Sequence, residues 1–433
     1  MTAEIAVLNK SAVALAADSA VTIQHEMGYK VYNTMNKLFA LHKPRPVGVM
    51  IYGGAELMGI PWETIIRVYQ ARYSQVKFNR LAAYGKHFIS FLDRRNPLFP
   101  LRSQREHFES IVEAHFTVIR QQLEDVVKEE IDKKGQVDNS RITVLADEMV
   151  ASHLQKWRQF KRIKTFPRNH RRKVLKRHGR AVSKTLKKVF QKVPLSGRAR
   201  RGLRSVAIDF FCKNRFSSNS SGVVIAGFGE KDVFPALVSF EVELVVNDRL
   251  KYQEGRKHQV ALDDPACVIP FAQEDVVVTL VEGADPSYQE LVRSSFSEIL
   301  RRYAEGMVKG LKLADKKREQ RLLDALLKFG IKLEEGFTGE LRVYKIENHI
   351  RHLLDVVRML PKDELAAMAE SLVNLTSLKR KMSLATETVG GPIDVAVISK
   401  GEGMIWIKRK HYFTKDLNPQ FFQRYHKESQ TEV

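Results

Sequence analysis

Residues 2–19 of the chain read TAEIAVLNKSAVALAADS. Two apolar runs in this stretch, Ala3 to Leu8 and Ala12 to Ala17, are rich in Val, Ile and Ala, and Asn9-Lys10-Ser11 separates them. Runs of this kind are typical of buried strands, and a short polar break between them is typical of a turn. We therefore predict that the chain begins with two β-strands joined by a turn.

The rest of the chain alternates between strand-like and helix-like segments. Further strands are predicted at Leu38 to Leu41, Val47 to Tyr52, Gly222 to Gly227, Leu237 to Val246, Val276 to Val281, Ile393 to Ser399 and Met404 to Ile407. Helices are predicted from Pro61, over Phe108 to Val127, from Asp285-Pro286-Ser287, over Ile350 to Leu360 and from Pro361. These assignments rest on apolar residues at a 3.6-residue period and on helix-start residues. The order of elements predicts a mixed α/β chain.

The composition excludes several classes of protein. With 433 residues, 44% of them hydrophobic, the chain can build a sizeable core and is not mostly disordered. No apolar run approaches the roughly 20 residues that cross a bilayer, and the first residues lack the pattern of a signal peptide. Cys212 and Cys267 are too few for a disulfide scaffold, and the 13 histidines lack metal-ligand spacing. We expect a globular, cytoplasmic protein without a cofactor or a metal.

The formal net charge of +22 is concentrated in one segment. Residues 156–204 contain 20 Lys and Arg and no Asp or Glu. Subtracting these 20 from the total of 72 leaves 52 basic residues against 50 acidic ones in the remaining 384. The body of the protein is therefore nearly neutral, and the basic segment is a local feature.

The basic segment has several interpretations. Its Lys and Arg could bind phosphates by counterion release, and Trp157, Phe160 and Phe166 could then stack on nucleic-acid bases. Its predicted amphipathic helix suits an anionic membrane surface or an acidic partner equally well. The simplest interpretation is a solvated helical face without a partner. The complete absence of acidic residues keeps a polyanionic partner open.

Thr2 is the first candidate for chemistry. Removal of Met1 is expected because Thr2 is small, and Thr2 would then carry a hydroxyl and a free α-amine. These two groups combine a nucleophile and a base in one residue, and the reference pKa of an α-amine is about 7.7–8.0. Many chains begin Met-Thr, so this feature on its own is a weak indication of catalysis.

Three further residues strengthen the indication. Asp18 follows the second apolar run, Lys37 precedes Leu38, and Gly53 ends the run Val47 to Tyr52. In order and local context, Thr2, Asp18, Lys37 and Gly53 resemble the nucleophile, carboxylate, lysine and oxyanion-hole glycine of the proteasome-type N-terminal nucleophile (Ntn) hydrolases. The sequence looks particularly like those of the bacterial proteasome-like families. The resemblance extends over Thr2 to Thr64, Gly222 to Gly283 and Pro361 to Ile407, with Val389-Gly390-Gly391-Pro392-Ile393-Asp394 leading into the closing strands.

The resemblance implies a fold and a reaction. The fold would be an αββα four-layer sandwich, and the reaction would be hydrolysis of a peptide or another amide. Thr2 would attack the carbonyl with its own amine as base, and Lys37 would stabilise the developing charge. Asp18 would orient Lys37, and the Gly53 amide would donate to the oxyanion.

The chain also departs from the family pattern. Ala20 stands where these subunits usually have Arg, and a hairpin at His25 to Thr34 would absorb the longer separation between Thr2 and Lys37. The Asp and Ser that usually complete the site are replaced by Thr386, Glu387 and Thr388, where Glu387 is an approximate substitute. The alternative is therefore a catalytically inactive protein of the same fold that binds a partner or acts as a scaffold.

The resemblance divides the chain into four parts. Residues 1–70 would form the first part of the core, 71–221 a helical insertion containing the basic segment, 222–410 the rest of the core, and 411–433 a C-terminal tail. The expected partners are a polypeptide or amide substrate, other copies of the chain in a homo-oligomer, and a polyanion at residues 156–204. The sequence does not identify an unfoldase.

Overall fold

A computed structural model of the chain describes residues 2–25, 28–42, 45–93, 95–382, 389–421 and 423. The strands are β1 (Ala3–Asn9), β2 (Ala12–Ala17), β3 (Val21–His25), β4 (Gly28–Tyr32), β5 (Leu38–His42), β6 (Val47–Gly53), β7 (Glu56–Leu57), β8 (Ile60–Pro61), β9 (Ser221–Gly227), β10 (Ala236–Val246), β11 (Arg249–Gln259), β12 (Ala266–Ala272), β13 (Asp394–Ser399) and β14 (Gly403–Lys408). The helices are α1 (Trp62–Tyr73), α2 (Leu81–Asp93), α3 (Leu101–Lys134), α4 (Asn139–Gln159), α5 (His170–Val189), α6 (Gly197–Phe210), α7 (Asp275–Glu282), α8 (Pro286–Gly310), α9 (Lys316–Lys345), α10 (Arg351–Val357) and α11 (Lys362–Lys381). A π-helical turn, Ile346–Ile350, joins α9 to α10.

The first sheet contains five antiparallel strands in the order β12-β1-β2-β13-β14. Its central hairpin pairs Glu4 with Ala17 and Leu8 with Val13. Asn9 fixes the turn of this hairpin, because its side-chain oxygen accepts hydrogen bonds from the amides of Ser11 (3.0 Å) and Ala12 (3.2 Å). The two strands and the turn predicted at the start of the chain are confirmed.

The second sheet also has five antiparallel strands, in the order β11-β10-β9-β6-β5. The two sheets face each other across an apolar cluster that includes Leu15 and Ile398 from the first sheet and Met50 and Val224 from the second. A Cβ atom at Gly48 would lie 2.6 Å from Cδ1 of Ile398. Glycine at this position therefore allows the two sheets to approach closely.

Helices cover the outer face of each sheet. Leu372 and Val373 of α11 pack against the outward-facing Ile5 and Val7 of β1. Helices α1 and α2 pack on the second sheet, where Tyr84 of α2 belongs to the same apolar cluster as residues of β9 and β10. The fold is therefore mixed α/β with antiparallel sheets and helices on both outer faces.

Helices α2 to α6 extend the core of the second sheet outward. Their buried residues and those of the sheet's outer face form one continuous apolar cluster. Lys251 of β11 is fully buried and donates to the carbonyl oxygens of Phe210 and Arg215, each at 2.7 Å. It also forms an ion pair with Glu243 at 2.5 Å. This lysine connects the end of the helical segment to the sheet.

Helices α8 and α9 pack against each other, with the rings of Phe296 and Phe337 centred 4.5 Å apart. Many of their other apolar side chains are exposed, including Ile299, Tyr303 and Phe329. Among the described residues, no helix combines the length and the apolar composition that a membrane crossing requires.

Two sequence-based expectations are wrong. Val276 to Val281 forms helix α7 and not a strand, since the acidic Glu274-Asp275 before it supports a helix start and its apolar face packs on α11. Trp157 and Phe166 are buried in the protein, and Phe160 is partly buried beside the Arg215 guanidinium. These rings are removed from water because they are large and apolar, so they do not form a surface on which bases could stack.

Candidate active site

Thr2 directly precedes β1 and lines a cavity of about 80 Å³. Its side chain is buried, and its Oγ atom forms no hydrogen bond of normal geometry among the described residues, although it is near enough to the Glu4 carboxyl group to lower the pKa of that group. Buried hydroxyl groups are usually paired, and an unpaired one is an exception found at catalytic sites. The position leaves Oγ available to a molecule that enters the cavity.

Asp18 lies opposite the start of β1. The register that pairs Glu4 with Ala17 also brings Asp18 next to Ala3, and the amide of Ala3 donates to Asp18 Oδ1 at 3.1 Å. The other carboxylate oxygen accepts from the amides of Ala20 (3.3 Å) and Gly390 (3.0 Å). The separation between Thr2 and Asp18 is thus a product of the hairpin, and backbone amides hold the Asp18 carboxylate in place.

Lys37 reaches this carboxylate from the other sheet. It directly precedes β5, its carbonyl oxygen accepts from the Ile51 amide at 2.9 Å, and its side chain is buried. Its Nζ atom lies 2.5 Å from Asp18 Oδ1 and 3.3 Å from Glu4 Oε1. The ammonium group therefore bridges the two sheets through two buried carboxyl groups.

Glu4 was not predicted as a site residue. It is fully buried on the face of β1 that points towards the second sheet, and burial raises its pKa to about 8. The nearby Lys37 ammonium opposes this increase, and the Asp18 charge adds to it. The sequence does contain an indication that Glu4 belongs to the site. Side chains two residues apart on a strand lie on the same face, so Glu4 lies on the same face as Thr2.

Gly53 ends β6 at the rim of the same cavity. Its φ of +76° is unfavourable for other residues, and a Cβ atom there would lie 2.6 Å from the Ser220 carbonyl oxygen. Next to it, Trp62 Nε1 donates to Ser221 Oγ at 2.9 Å, and Ser221 Oγ donates to the Gly54 carbonyl oxygen at 2.9 Å. These bonds fix the wall of the cavity beside Thr2.

The remaining cavity wall is mostly apolar. Val21, Ile51 and Trp62 contribute apolar surface to it. The lining also includes Asn36 and Glu63, whose side chains are joined by a 3.2 Å hydrogen bond. With a volume of about 80 Å³, the cavity has room for more than one water, since one water needs only about 10–15 Å³ on this measure of volume. A small apolar side chain is the kind of group that this cavity can accept.

A second buried ion pair lies beside the first and was also not predicted. Asp394 starts β13, pairs with Ala17 across the sheet, and accepts hydrogen bonds from both the amide and the Nζ atom of Lys410. Burial lowers the pKa of Lys410, Asp394 opposes this decrease, and the charge of Lys37 adds to it. The influence of Lys37 indicates that the two ion pairs belong to one electrostatic environment.

The departures from the family pattern have different outcomes. Ala20 is buried, and its amide binds Asp18, so this position contributes backbone and no charge. Thr386, Glu387 and Thr388 lie outside the described residues. The chain that follows them is attached to the site, because Gly390 binds Asp18 through its amide and accepts from the Ser19 amide at 3.2 Å.

Other reactive groups lie apart from this cluster. Burial raises the pKa of the Cys212 thiol to about 12 and also raises that of Cys267, so both thiols are poor nucleophiles near neutral pH. In the part of the chain that the structure describes, no three His, Cys, Asp or Glu side chains are grouped as metal ligands. The described cluster that is best placed for catalysis is therefore the one formed by Thr2, Glu4, Asp18 and Lys37.

Comparisons with protein-family models and with curated proteins find no match to this chain.

Proposed function

We propose that the protein is an N-terminal threonine hydrolase of the proteasome-type Ntn class, acting on peptide or other amide bonds. One observation carries the proposal: the Thr2 hydroxyl lines a cavity together with Lys37 and Gly53, and Lys37 is held by Asp18. All four residues selected from the sequence thus meet at one place. The proposal requires that Thr2 be the first residue of the mature chain.

The reaction would proceed in two steps. Thr2 Oγ attacks the substrate carbonyl, and the Thr2 α-amine accepts the hydroxyl proton directly or through a water. The amine then returns that proton to the leaving nitrogen as the C–N bond breaks, which leaves an ester between Oγ and the acyl group. A water, deprotonated by the same amine, hydrolyses the ester and restores the hydroxyl.

The surrounding residues would stabilise charge during these steps. The Lys37 ammonium favours the neutral, basic form of the nearby Thr2 amine, and Asp18 orients the ammonium. The peptide at Gly53 lies at the cavity rim, where its amide can donate to the oxyanion. Glu4 is mostly protonated near neutral pH because its pKa is about 8, so the Lys37–Asp18 pair stays close to electrical neutrality.

The same proposal covers the fold and the assembly. Two facing antiparallel sheets with helices on both outer faces support an αββα Ntn sandwich, elaborated by the helical segment α2 to α6. The exposed apolar side chains of α8 and α9 support a homo-oligomer, since surfaces of this kind mark sites of association.

An epoxyketone probe tests the chemistry because it reacts with a hydroxyl and an amine on the same residue. Intact-mass measurement should first show a chain without Met1. The probe should then label wild type and the control Thr117→Ala, which removes an exposed threonine of α3, but not Thr2→Ala. Retention of Met1, or labelling of Thr2→Ala, would exclude Thr2 as the nucleophile.

A further inference from the structure

The basic segment forms a continuous surface across two helices. We define the cationic face as Lys173, Lys176, Arg180, Lys184 and Lys187 of α5 together with Arg204 of α6, all of which are exposed. The α5 members follow one another at intervals of three or four residues, so they share one side of the helix. From Lys173 to Lys187 the row is about 21 Å long, at about 1.5 Å per residue.

Contacts between the helices make the two parts of the face one surface. A Cβ atom at Gly179 of α5 would lie 3.9 Å from an Arg204 guanidinium nitrogen of α6. At the other end, Arg171 of α5 binds Asp209 at 2.7 Å and Ser205 at 2.8 Å, both near the end of α6. The two helices are therefore fixed against each other, and the spacing of their cations is set before any partner binds.

These cations are not neutralised by the protein itself. Within the described residues, none of the six side chains of the cationic face forms an ion pair, whereas the neighbouring Arg171 and Lys188 are paired with Asp209 and Glu113. Six like charges on two adjacent helices repel one another. A partner that supplies negative charge along the same line would relieve this repulsion.

The apolar and aromatic side chains of the basic segment distinguish between a lipid surface, a single strand and a duplex as the polyanionic partner. Val174, Val182 and Leu186 form the apolar side of α5 and are buried in the core. Of the large apolar side chains of α5, Leu175 alone is exposed, at 39%, and one residue does not make an apolar face with which the helix could enter a lipid surface. Trp157 and Phe166 are buried as well, which removes the aromatic platform that single strands need. A rigid row of cations without either feature fits the regularly spaced phosphates of a duplex.

We propose that the cationic face binds double-stranded nucleic acid through its phosphates, without reading the base sequence. Counterion release predicts that log K falls with log salt concentration at a slope of about −0.9 for each phosphate contact, or about −5 for six contacts. Affinity should accordingly fall by about a thousandfold between 50 and 200 mM salt.

The test measures binding of a fluorescein-labelled duplex of about 20 base pairs, longer than the face at 3.4 Å per base pair, by fluorescence anisotropy over a salt series. The face variant is Lys176→Gln/Arg180→Gln/Lys184→Gln/Lys187→Gln. The control is Lys316→Gln/Lys317→Gln/Arg318→Gln/Arg321→Gln, which removes the same charge from exposed positions of α9. Single strands of the same length and vesicles rich in phosphatidylserine are measured in parallel.

The proposal predicts at least tenfold weaker duplex binding and a slope reduced by about 3 to 4 in the face variant, with the control close to wild type. Equal losses in both variants would show that net charge alone attracts the duplex and would overturn the proposal. Tighter binding of vesicles or of single strands, lost in the face variant, would assign the face to that other partner. These measurements do not involve Thr2, so they are independent of the proposed hydrolase activity.

Discussion

The carboxyl groups of Glu4 and Asp18 are both buried, and both contact the single ammonium group of Lys37. The net charge of the candidate site therefore depends on whether both carboxyl groups are ionised. If Glu4 and Asp18 were both ionised, one buried cation would face two buried anions. Burial resolves the imbalance by raising the pKa of Glu4 to about 8, so Glu4 keeps its proton near neutral pH. The site therefore holds one ion pair and one neutral acid beside Thr2.

This arrangement predicts how stability depends on pH. Between the ordinary value of 4.5 and about 8, the folded state binds a proton at Glu4 that the unfolded state has released. Unfolding then releases a proton, so the free energy of unfolding decreases as pH rises through this window. Glu4→Gln cannot lose a proton, and we expect its stability relative to wild type to increase from pH 5 to pH 8 by up to about 1.4 kcal/mol per pH unit.

Urea unfolding of both proteins at several pH values measures this difference. Glu129→Gln, which removes an exposed carboxyl group on α3, is the control for the loss of a glutamate. A difference between Glu4→Gln and wild type that is constant over pH 5 to 8 would contradict a protonated Glu4.

At the scale of elements, two glycines illustrate opposite roles. Gly227 ends β9 with a φ of +133°, and a Cβ atom there would lie 2.0 Å from the Pro46 carbonyl oxygen. Gly306 lies inside α8, where a Cβ atom would meet nothing within 4 Å. Gly227 is required because the chain before β6 passes too close to leave room for a side chain. Gly306 has no such role and only weakens its helix.

Alanine substitutions should therefore change stability in opposite directions. Gly227→Ala combines an unfavourable φ with a backbone clash and should lower the free energy of unfolding by about 2–4 kcal/mol. Gly306→Ala should raise it by about 0.5–1 kcal/mol, because alanine favours the helix. Denaturant midpoints check both values, and a Gly227→Ala protein as stable as wild type would contradict the tight contact.

The elements also show where sequence reasoning succeeds and where it stops. The strands around Thr2, Asp18 and Gly53 were predictable because each is a short, mostly buried and mostly apolar run bounded by turn residues. Val276 to Val281 has the same appearance but forms α7, since so short a run, with five apolar residues in six, carries no periodicity that separates strand from helix. β11 was missed because it lies at the edge of its sheet and carries charged residues such as Arg256 and Lys257.

The candidate site was predictable only in part for a related reason. The hairpin register connects Thr2 to Asp18 through local sequence. The 3.3 Å contact between Glu4 and Lys37 instead joins two sheets, and the Asp394–Lys410 pair depends on the position of a strand far along the chain. Contacts between distant segments follow from packing, which the pattern of a single segment does not specify.

At the scale of the whole molecule, charge and apolar surface are carried by different helices. The cationic face lies on α5 and α6, whereas the largest exposed apolar side chains of the long helices lie on α8 and α9. Tyr303 and Phe329 are 65% and 58% exposed, although aromatic rings gain most from burial. Self-association through α8 and α9 would cover these rings and leave the cations open to a polyanion.

Ile299 and Tyr303 lie four residues apart on α8, are 62% and 65% exposed, and therefore form one apolar stripe on that helix. If copies of the chain associate through this stripe, Ile299→Ser/Tyr303→Ser should reduce the mass measured by light scattering after size-exclusion chromatography to that of a monomer. Val233→Ser/Leu262→Ser removes two apolar side chains that are more exposed, at 72% and 75%, but lie outside α8 and α9, and it should leave the mass unchanged. A wild-type mass of one chain, about 49.6 kDa, would contradict assembly itself. An oligomer that persists in the α8 variant would place the interface on another surface.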